Sequence, residues 1–316
     1  MVDKEREAMI HPSPFFVSVV IVNYNGAQFL ERCLASLAAQ THRAFEIVIV
    51  DNASTDDSCA LVEKNFPQVK LVQSSTNVGF AAGNNLGIRA ARGNLIATLN
   101  TDTCVENDYL EKLCAPMADD RVGTCAPLML EMEHPDIVDA AGIRVDAFGY
   151  AWNIGAGQAA RNFAVAGQVY GACAGAALYR RALLDEIGSF DDDYFGFYED
   201  ADLAWRAHRA GWQTAFVPDA RVYHQHGASF GKISPRKTYL LARNRWWTTL
   251  KNFPTPQFYF VLPLLFLLDA GALLQAAARG HLRAAWQGRF DAWRGRKAMW
   301  AKRKRKLQIP TPNLKP

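Results

Sequence analysis

Hydrophobic residues in the first hundred positions form short continuous runs that alternate with segments of helical periodicity. Four runs rich in Val, Ile and Leu predict buried strands: "FVSVVIVN", "FEIVIVDN", "VKLVQS" and "GNLIATLN". Between them, "AQFLERCLASLAAQ" places its apolar residues on one helical face. Strands that are apolar throughout are buried on both faces, as in a parallel sheet covered by helices. The pattern therefore predicts an α/β fold with a mostly parallel, Rossmann-like sheet.

The pattern becomes less regular after residue 103. Residues 139–157 resemble hairpins and loops, a helix is predicted from about Arg181, and another helix extends through Ala210. We therefore divide the main domain, residues 15–252, into a first half over 15–103 and a second half over 104–252. Residues 253–316 form a separate tail, where the composition changes again.

The tail begins with an apolar segment. Phe258–Leu268 contains eleven apolar residues and includes Pro263, and with the following ten residues it reaches the length needed to span a bilayer. Asp269 would then lie near the membrane centre, at a cost of about 2.5–3.5 kcal/mol. We therefore expect a helix that lies on the membrane interface or dips into it.

The end of the tail repeats tryptophan at a step of seven residues, at Trp286, Trp293 and Trp300, with Phe290 beside them and Arg and Lys elsewhere. Aromatic residues on one face and cations on the other are typical of an interfacial helix. The alternative is an amphipathic helix that packs on the protein itself.

Charge is distributed unevenly along the 316 residues. The formal net charge is +4, but twelve of the 35 basic residues and one of the 31 acidic residues follow residue 278. The tail thus carries +11 and the remaining chain −7, which indicates an anionic surface as a partner. No stacking module accompanies the basic run, so nucleic acid is not expected as a partner. Six cysteines without a C-x-x-C pair favour a reducing, cytoplasmic setting.

Polar side chains follow the ends of all four predicted strands. They are Asn23 and Asn25, Asp51, Asn77, and Asn100 with Thr101 and Asp102. In open α/β sheets, ligands bind beyond the carboxyl ends of the strands, so these side chains are candidates for binding a ligand. Asn and Asp also form ordinary turns and helix caps, which is the alternative.

Three familiar motifs do not account for this chain. Only Gly26 follows the first strand, so G-x-G-x-x-G is absent, and no G-K-[ST] exists. "GASFG", residues 227–231, has the form of a nucleophile elbow but is not followed by a clear helix, so a hydrolase is disfavoured. Gly79, Gly83 and Gly87 share one helical face and permit close approach of a backbone or a ligand.

Two groups of residues have the chemistry of a catalytic site. Asp102 follows a buried strand, where a carboxylate can bind a hard divalent cation that bridges two phosphates. His224 and His226 share one face of a predicted strand, although ordinary hydrogen-bonded histidines are the alternative.

The second group is "FGFYEDADLAWRAHRAGW", with carboxylates at Glu199, Asp200 and Asp202. Helix capping by Glu199 or Asp200, with an Asp202–Arg206 pair four residues apart, is one explanation. A carboxylate near aromatic rings also gains proton affinity, which suits a general base.

Together these segments resemble family 2 glycosyltransferases of the GT-A fold, and bacterial rhamnosyltransferases in particular. The resemblance extends from about Val17 to Asn252. Its segments are "VSVVIVNYNGAQFLERCLASLAAQ", "EIVIVDNASTD", "NVGFAAGNNLGIRAARGNLIATLNTDT", "FGFYEDADLAWRAHRAGW" and "VYHQHGAS".

The resemblance implies roles for individual residues. Asp51 would contact the nucleobase, with Asn23 and Asn77 nearby, and Asn25, Gly79 and Thr101 would complete the donor site. "NTD" replaces the D-x-D of the family, so Asp102, with His224 as a further ligand, would hold Mg²⁺ or Mn²⁺ on the diphosphate. Because Asn100 occupies the first position of that motif, weaker metal binding is expected. Asp200 would be the general base and Glu199 would hold the acceptor or order the loop, with Tyr198, Trp205 and His226 on the acceptor side.

The sequence therefore predicts an inverting glycosyltransferase at the inner face of the membrane. Its donor would be a dTDP- or UDP-sugar, with dTDP-rhamnose as one candidate, and its acceptor a glycan or a lipid-linked glycan. Two alternatives remain open: a sugar nucleotidyltransferase, although "NYNGAQFL" lacks the basic residues of such a loop, and a membrane-bound scaffold without activity.

Overall fold

The computed structural model describes residues 15–225 and 234–306. The strands are β1 (Val17–Asn23), β2 (Phe45–Asp51), β3 (Lys70–Gln73), β4 (Leu95–Asn100), β5 (Thr103–Val105), β6 (Val122–Glu131), β7 (Val138–Ala140), β8 (Ile143–Val145), β9 (Ala151–Asn153), β10 (Gly167–Val169), β11 (Ala176–Arg180) and β12 (Gln213–His224). The α-helices are α1 (Ala27–Ala38), α2 (Ser58–Asn65), α3 (Gly79–Ala90), α4 (Tyr109–Cys114), α5 (Arg181–Ile187), α6 (Glu199–Arg209), α7 (Pro235–Asn252), α8 (Thr255–Ala278) and α9 (Leu282–Lys306).

One large sheet organises the main domain. Its strand order is β10-β12-β6-β11-β4-β1-β2-β3, with β5 paired to β12 and β7 paired to β6. β1 is parallel to both β2 and β4, and β2 is parallel to β3. β11 runs antiparallel between β4 and β6 and joins the two halves. The predicted α/β fold with a mostly parallel sheet is confirmed.

Helices cover both faces of this sheet. The apolar face predicted for α1 is buried, including Leu30 and Leu34. On the other face, α3 lies so close to β1 that a Cβ at Gly83 would meet Val22 at 2.8 Å, and one at Gly87 would meet Val20 at 2.3 Å. The close approach that these glycines predicted is therefore that of helix α3 to strand β1.

The irregular middle of the chain forms the predicted hairpin. β8 and β9 pair antiparallel from Ile143 opposite Asn153 to Val145 opposite Ala151. α5 begins at Arg181, as the sequence predicted, and the predicted strand that carries His224 is β12, which ends at that residue. The hairpin and the start of α6 lie beside the carboxyl ends of the parallel strands.

The tail helices pack on the main domain. α9 lies along α7, and its contact face consists of small residues: the buried Ala285, Gly288 and Ala292 and the half-buried Gly295, with buried Met299 at the end. A Cβ at Gly288 would lie 2.5 Å from the Tyr239 carbonyl oxygen, and one at Gly295 would lie 2.7 Å from the Trp247 ring. α9 is thus the amphipathic helix that packs on the protein.

The opposite face of α9 is nevertheless apolar and exposed. Trp286, Phe290 and Trp293 are each about half exposed or more, whereas Trp300 is half-buried near Phe258. α9 thus presents small residues to α7 and large aromatic residues to solvent, and contact of those aromatic residues with a membrane stays a prediction.

The charge inside the apolar helix is neutralised by neighbouring helices. Asp269 is buried and accepts hydrogen bonds from Arg245 of α7 and from Arg289 of α9, the latter at 2.6 Å to Nε. A buried carboxylate is tolerated when it is paired and hydrogen-bonded in this way. Asp269 therefore ties the three helices together.

The contact between α3 and β1 gives a stability prediction. Gly87→Ala should lower the free energy of unfolding by about 1–3 kcal/mol, because the added methyl group overlaps Val20 in a close-packed layer. The matched control is Gly271→Ala in α8, where no atom of the described residues lies within 4 Å of the added Cβ. There, alanine should be neutral or stabilise the helix by about 0.5–1 kcal/mol. Chemical denaturation checks both, and equal effects would refute the packing argument.

Candidate active site

The ends of β4 and β12 and the start of α6 border one cavity of about 430 Å³. Seven of the predicted site residues line it: Asn100, Thr101, Asp102, Tyr198, Glu199, Asp200 and His224. Residues about a hundred positions apart therefore share one cleft. The metal-side carboxylate and the acidic cluster face the same space, which is the arrangement that the resemblance implies.

The other predicted donor residues form a polar network at the ends of β1 and β2. Asn23 Nδ2 donates to Asp51 Oδ1 at 3.3 Å and to Ser54 Oγ at 3.1 Å. The backbone N–H of Asn25 also donates to Ser54 Oγ, at 2.9 Å. These residues are held by each other and, among the described residues, do not belong to the lining of the cavity. Their contact with a nucleobase stays a prediction.

Asn77 and Gly79 lie at the start of α3. Asn77 Oδ1 accepts from Asn52 Nδ2 and from the backbone N–H of Gly79, both at 3.0 Å. Gly79 has a φ of 87°, and a Cβ there would lie 2.5 Å from the carbonyl oxygen of Phe195. Glycine is therefore required at this position because of both its conformation and the close approach of the loop before α6.

His224 lies between two carboxylates. Its Nε2 is 3.3 Å from Asp102 Oδ1, and its Nδ1 is 2.7 Å from Asp139 Oδ2. Burial disfavours the charged imidazolium, but the hydrogen bonds and charges of Asp102 and Asp139 outweigh it and raise the pKa of His224 to about 10. Asp139 also fixes the ring orientation, which lets Nε2 face the cavity.

The described residues contain no cluster of three or more His, Cys, Asp or Glu side chains that could hold a metal ion. Asp102 and His224 nevertheless offer one oxygen and one nitrogen at the cavity wall. Mg²⁺ sites commonly use one or two protein ligands and complete their coordination with substrate phosphates and water. The two side chains therefore fit a cation that binds together with a diphosphate, and metal ligation requires the neutral form of the imidazole.

Glu199 and Asp200 are the first two residues of α6. The residue that precedes the helix is Tyr198, with a φ of 70° and no capping hydrogen bond from its side chain, so the capping role considered for Glu199 or Asp200 is wrong. Asp200 instead accepts from the backbone N–H of Ala201 at 2.7 Å. Both carboxylates lie in the first turn, where the helix dipole favours negative charge.

The two carboxylates have different environments. Burial, and secondly the charge of Asp200, raise the pKa of Glu199 well above its ordinary value, and its Oε2 has no hydrogen-bond partner among the described residues. Burial also raises the pKa of Asp200; both residues line the cavity, but Asp200 is half-buried whereas Glu199 is buried. Of the two, Glu199 is therefore the carboxylate that burial more strongly favours in its protonated form, and Asp200 is the candidate to accept a proton.

The loop at residues 195–198 precedes this acidic pair and has an unusual backbone conformation. Phe195, Phe197 and Tyr198 have φ values of 65°, 67° and 70°, which cost about 1–3 kcal/mol each for residues other than glycine. Asn244 of α7 is fully buried and donates from Nδ2 to the carbonyl oxygens of Gly196 and Phe197 at 2.9 and 2.7 Å. Asn244 therefore holds the loop in its strained conformation.

Asp202 stabilises the first turn of α6 through buried hydrogen bonds and ion pairs. It is fully buried and receives Arg206 Nε, Lys251 Nζ and Asn252 Nδ2, each at 2.8 Å. The predicted pair with Arg206 is confirmed, and it belongs to a larger network because Lys251 also contacts Asp191. Asp202 thus has a structural role, distinct from that of its acidic neighbours.

Two predicted acceptor-side residues remain outside this arrangement. Trp205 packs against Phe253, with ring centroids 4.8 Å apart, and against Tyr170, and is not part of the cavity lining that the structure describes. His226 and the "GASFG" segment lie outside the described residues. Acceptor contacts for Trp205 and His226 therefore stay predictions.

The sequence of this chain matches the profile of glycosyl transferase family 2 over residues 18–188. The chain belongs to glycosyl transferase family 2. This is a family of inverting hexosyltransferases that transfer a sugar from a nucleotide-sugar donor. The family resemblance and the enzyme class predicted from the sequence are confirmed, and the alternatives of a nucleotidyltransferase and an inactive scaffold are set aside.

Several known proteins are similar to most of this chain. It is 26% identical over 268 residues to N-acetylglucosaminyl-diphospho-decaprenol L-rhamnosyltransferase of Mycobacterium tuberculosis, covering 72% of this chain and 85% of that enzyme. The structure of GalNAc-T7 with UDP, GalNAc and Mn²⁺ superimposes with a TM-score of 0.64 and 18% identity, over 94% of this chain and 58% of that chain.

A mannosyltransferase from Pyrobaculum calidifontis with GDP-Man and Mn²⁺ gives a TM-score of 0.57 at 19% identity, over 93% of this chain and 85% of that chain. These structural likenesses show the GT-A fold. Both solved structures contain Mn²⁺.

Sequence reasoning missed three residues that shape the site. Asp139 lies in the short strand β7, Trp152 in the hairpin strand β9 and Asn244 within α7. An acid between apolar residues in "IVDAAG" was a signal for Asp139. Asn244 sits in a polar helix where an asparagine is unremarkable, so no sequence signal distinguished it.

The contact of Asp139 with His224 gives a second prediction. Asp139→Asn should weaken Mn²⁺ binding in the presence of a nucleoside diphosphate by about 10–100-fold, because the imidazole loses the carboxylate that orients it. The exposed Asp136→Asn is the matched control and should bind as the unmodified chain does. Titration followed by electron paramagnetic resonance of Mn²⁺ measures both, and unchanged binding in Asp139→Asn would contradict the assigned role.

Proposed function

We propose that this chain is an inverting rhamnosyltransferase that uses dTDP-rhamnose and adds the sugar to a hydroxyl of a lipid-linked glycan. A UDP-sugar is the alternative donor. The proposal rests on one observation above all: Asp102 and Asp200 line the same cavity, so a diphosphate held at one carboxylate leaves its sugar facing the other.

The choice of sugar and acceptor is supported by the mycobacterial relative. Its name states that it transfers L-rhamnose to N-acetylglucosaminyl-diphospho-decaprenol, and its similarity extends over most of both chains. Trp152 offers a half-exposed indole at the cavity wall, a surface on which the apolar face of an acceptor sugar can stack.

In the proposed reaction, Asp200 accepts the proton of the acceptor hydroxyl, and that oxygen attacks the anomeric carbon from the face opposite the diphosphate. A single displacement of this kind inverts the anomeric configuration. Burial favours the protonated form of Glu199, which in this reaction would add no second negative charge beside the attacking oxygen. Asp102 and His224 would hold Mg²⁺ or Mn²⁺, which when bound stabilises negative charge on the leaving diphosphate.

Asp200→Asn tests the assignment of the base. The amide cannot accept a proton, so kcat for sugar transfer from dTDP-rhamnose should fall about 10²–10⁴-fold while dTDP-rhamnose still binds. In the unmodified enzyme, kcat/KM should fall as pH decreases through the pKa of Asp200, because the base must be ionised, and burial should shift this limb above the ordinary aspartate range.

The exposed Asp185→Asn is the control and should retain full activity. Turnover of dTDP- and UDP-sugars onto prenyl-diphosphate-linked N-acetylglucosamine provides the measurement. Asp200→Asn with undiminished kcat for an accepted donor would show that another group is the base.

We also propose that the enzyme resides in the cytoplasm and binds the inner face of the membrane through α8 and α9. α8 is long and apolar enough to cross a membrane, and most of its surface is exposed. Its exposed side chains include Phe260, Phe266 and Leu267. The pairing of Asp269 with α7 and α9 supports a helix that stays on the protein and meets the membrane sideways.

The membrane proposal predicts that Phe260→Glu and Phe266→Glu each reduce binding to vesicles that contain anionic phospholipid. Removing one inserted Phe side chain costs about 1.5–3 kcal/mol, so the partition coefficient should fall about tenfold or more. Val165→Glu alters an exposed residue outside the tail and should not change binding. Vesicle sedimentation measures the bound fraction, and retention of both Phe variants at the unmodified level would refute this mode of attachment.

A further inference from the structure

A second large cavity lies between the tail helices. It is a groove of about 460 Å³ bounded by α7, α8 and α9, and its walls are almost entirely apolar. We call it the tail groove. Leu250, Phe266 and Leu273 contribute apolar walls from α7 and α8, and Trp286 and Trp293 contribute from α9. Its volume is in the range of small-molecule sites, and it opens on the exposed apolar side of the tail.

Cations outnumber the acid at this groove. Asp269 lies in the wall, but Arg245 and Arg289 both pair with it. Arg296 also lines the groove, where its guanidinium lies 4.1 Å from the centroid of the Trp293 ring and donates to the Trp293 carbonyl oxygen. A ligand with an apolar chain and an anionic end complements such a groove, because the chain contacts the walls and the anion meets Arg296.

The tail groove is connected to the catalytic cavity by a short series of contacts. Trp152 lines the catalytic cavity and stacks on Tyr150, with ring centroids 5.9 Å apart. The guanidinium of Arg245 lies 4.6 Å from the centroid of the Tyr150 ring and bonds Asp269 in the wall of the groove. A series of contacts through two aromatic rings and one arginine therefore links the walls of the two cavities.

We propose that the tail groove binds the prenyl chain of the acceptor, with Arg296 at its phosphate, and so directs the attached sugar past Tyr150 and Trp152 towards Asp200. This rests on the proposed function, in which the acceptor is lipid-linked. The proposed occupant is a long prenyl phosphate. The experiment distinguishes it from two other occupants, a phospholipid acyl chain and a second copy of this chain.

Geranylgeranyl phosphate in detergent is a suitable probe, and its binding to the full chain is measured by quenching of tryptophan fluorescence. Ala270 lines the groove and is exposed, so Ala270→Trp fills the groove without removing a core contact. Displacing two or more methylene groups from burial should weaken binding about tenfold. Ala277→Trp, on the same helix and exposed, is the matched control and should bind as the unmodified chain does.

Arg296→Gln should weaken binding of geranylgeranyl phosphate but leave binding of geranylgeraniol unchanged, because only the phosphate meets the guanidinium. Lys297→Gln is exposed, lies next to it and should change neither. With N-acetylglucosamine diphosphate acceptors, Ala270→Trp should raise KM for a long prenyl chain and leave KM for a short alkyl chain unaltered, with kcat retained in both.

Equal binding of geranylgeranyl phosphate by the Ala270→Trp and Ala277→Trp variants would overturn the inference. Equal affinity of the unmodified chain for dioleoyl phosphatidylglycerol and for the prenyl phosphate would also overturn it. The third contrary result is an unmodified chain that binds no prenyl phosphate and forms a dimer that dissociates in Ala270→Trp. The two proposals fail separately. If the chain binds the probe in the groove but transfers no sugar, the site stands and the proposed reaction fails. If it glycosylates a long-chain acceptor equally well in both tryptophan variants, the reaction stands and the site fails.

Discussion

The active cavity depends on the strained loop before α6. Phe195, Phe197 and Tyr198 have positive φ angles, which none of these residues favours. Asn244 compensates by donating to the carbonyl oxygens that this conformation exposes, and the backbone N–H groups at the start of α3 bind the Phe195 carbonyl oxygen. Without these contacts, α6 would begin in another direction and its first two carboxylates would leave the cavity.

A buried network of charged side chains also stabilises the residues on either side of this loop in the sequence. Lys251 is almost fully buried and lies between Asp191, ahead of the loop, and Asp202, just after it. Lys302 of α9 contacts Asp191 as well. Removing one partner from a buried ion pair leaves an uncompensated charge, which is costly. The position of the acidic pair is therefore coupled to α7 and to the tail through electrostatic contacts, and not only through packing.

Much of the first half of the fold could be predicted because its signals are local. Continuous apolar strands, the helical period of α1 and the polar residues at strand ends are each visible within a few residues. The acidic cluster was visible for the same reason. The second half depends on contacts between distant segments: Asp139 meets His224 only because β7 and β12 both pair with β6.

The origin of α6 and the neutralisation of Asp269 could not be predicted either. The strained residue before α6 is a tyrosine, a residue type that does not indicate a helix cap. The partners of Asp269 are Arg245 and Arg289, which lie 24 and 20 residues away in the sequence on two other helices. From composition we predicted a separate tail that begins at residue 253. In the structure, side chains of that tail pack against the preceding helices and form ion pairs with them.

The contact face of α9 limits how the tail can be exchanged between proteins. Gly288 and Gly295 lie against the backbone and an aromatic ring of α7, where even one methyl group would overlap existing atoms. A foreign amphipathic helix of equal charge and aromatic content would therefore not fit unless it also lacked side chains at these two points. In chimaeras, α7 and α9 must be transplanted as a matched pair.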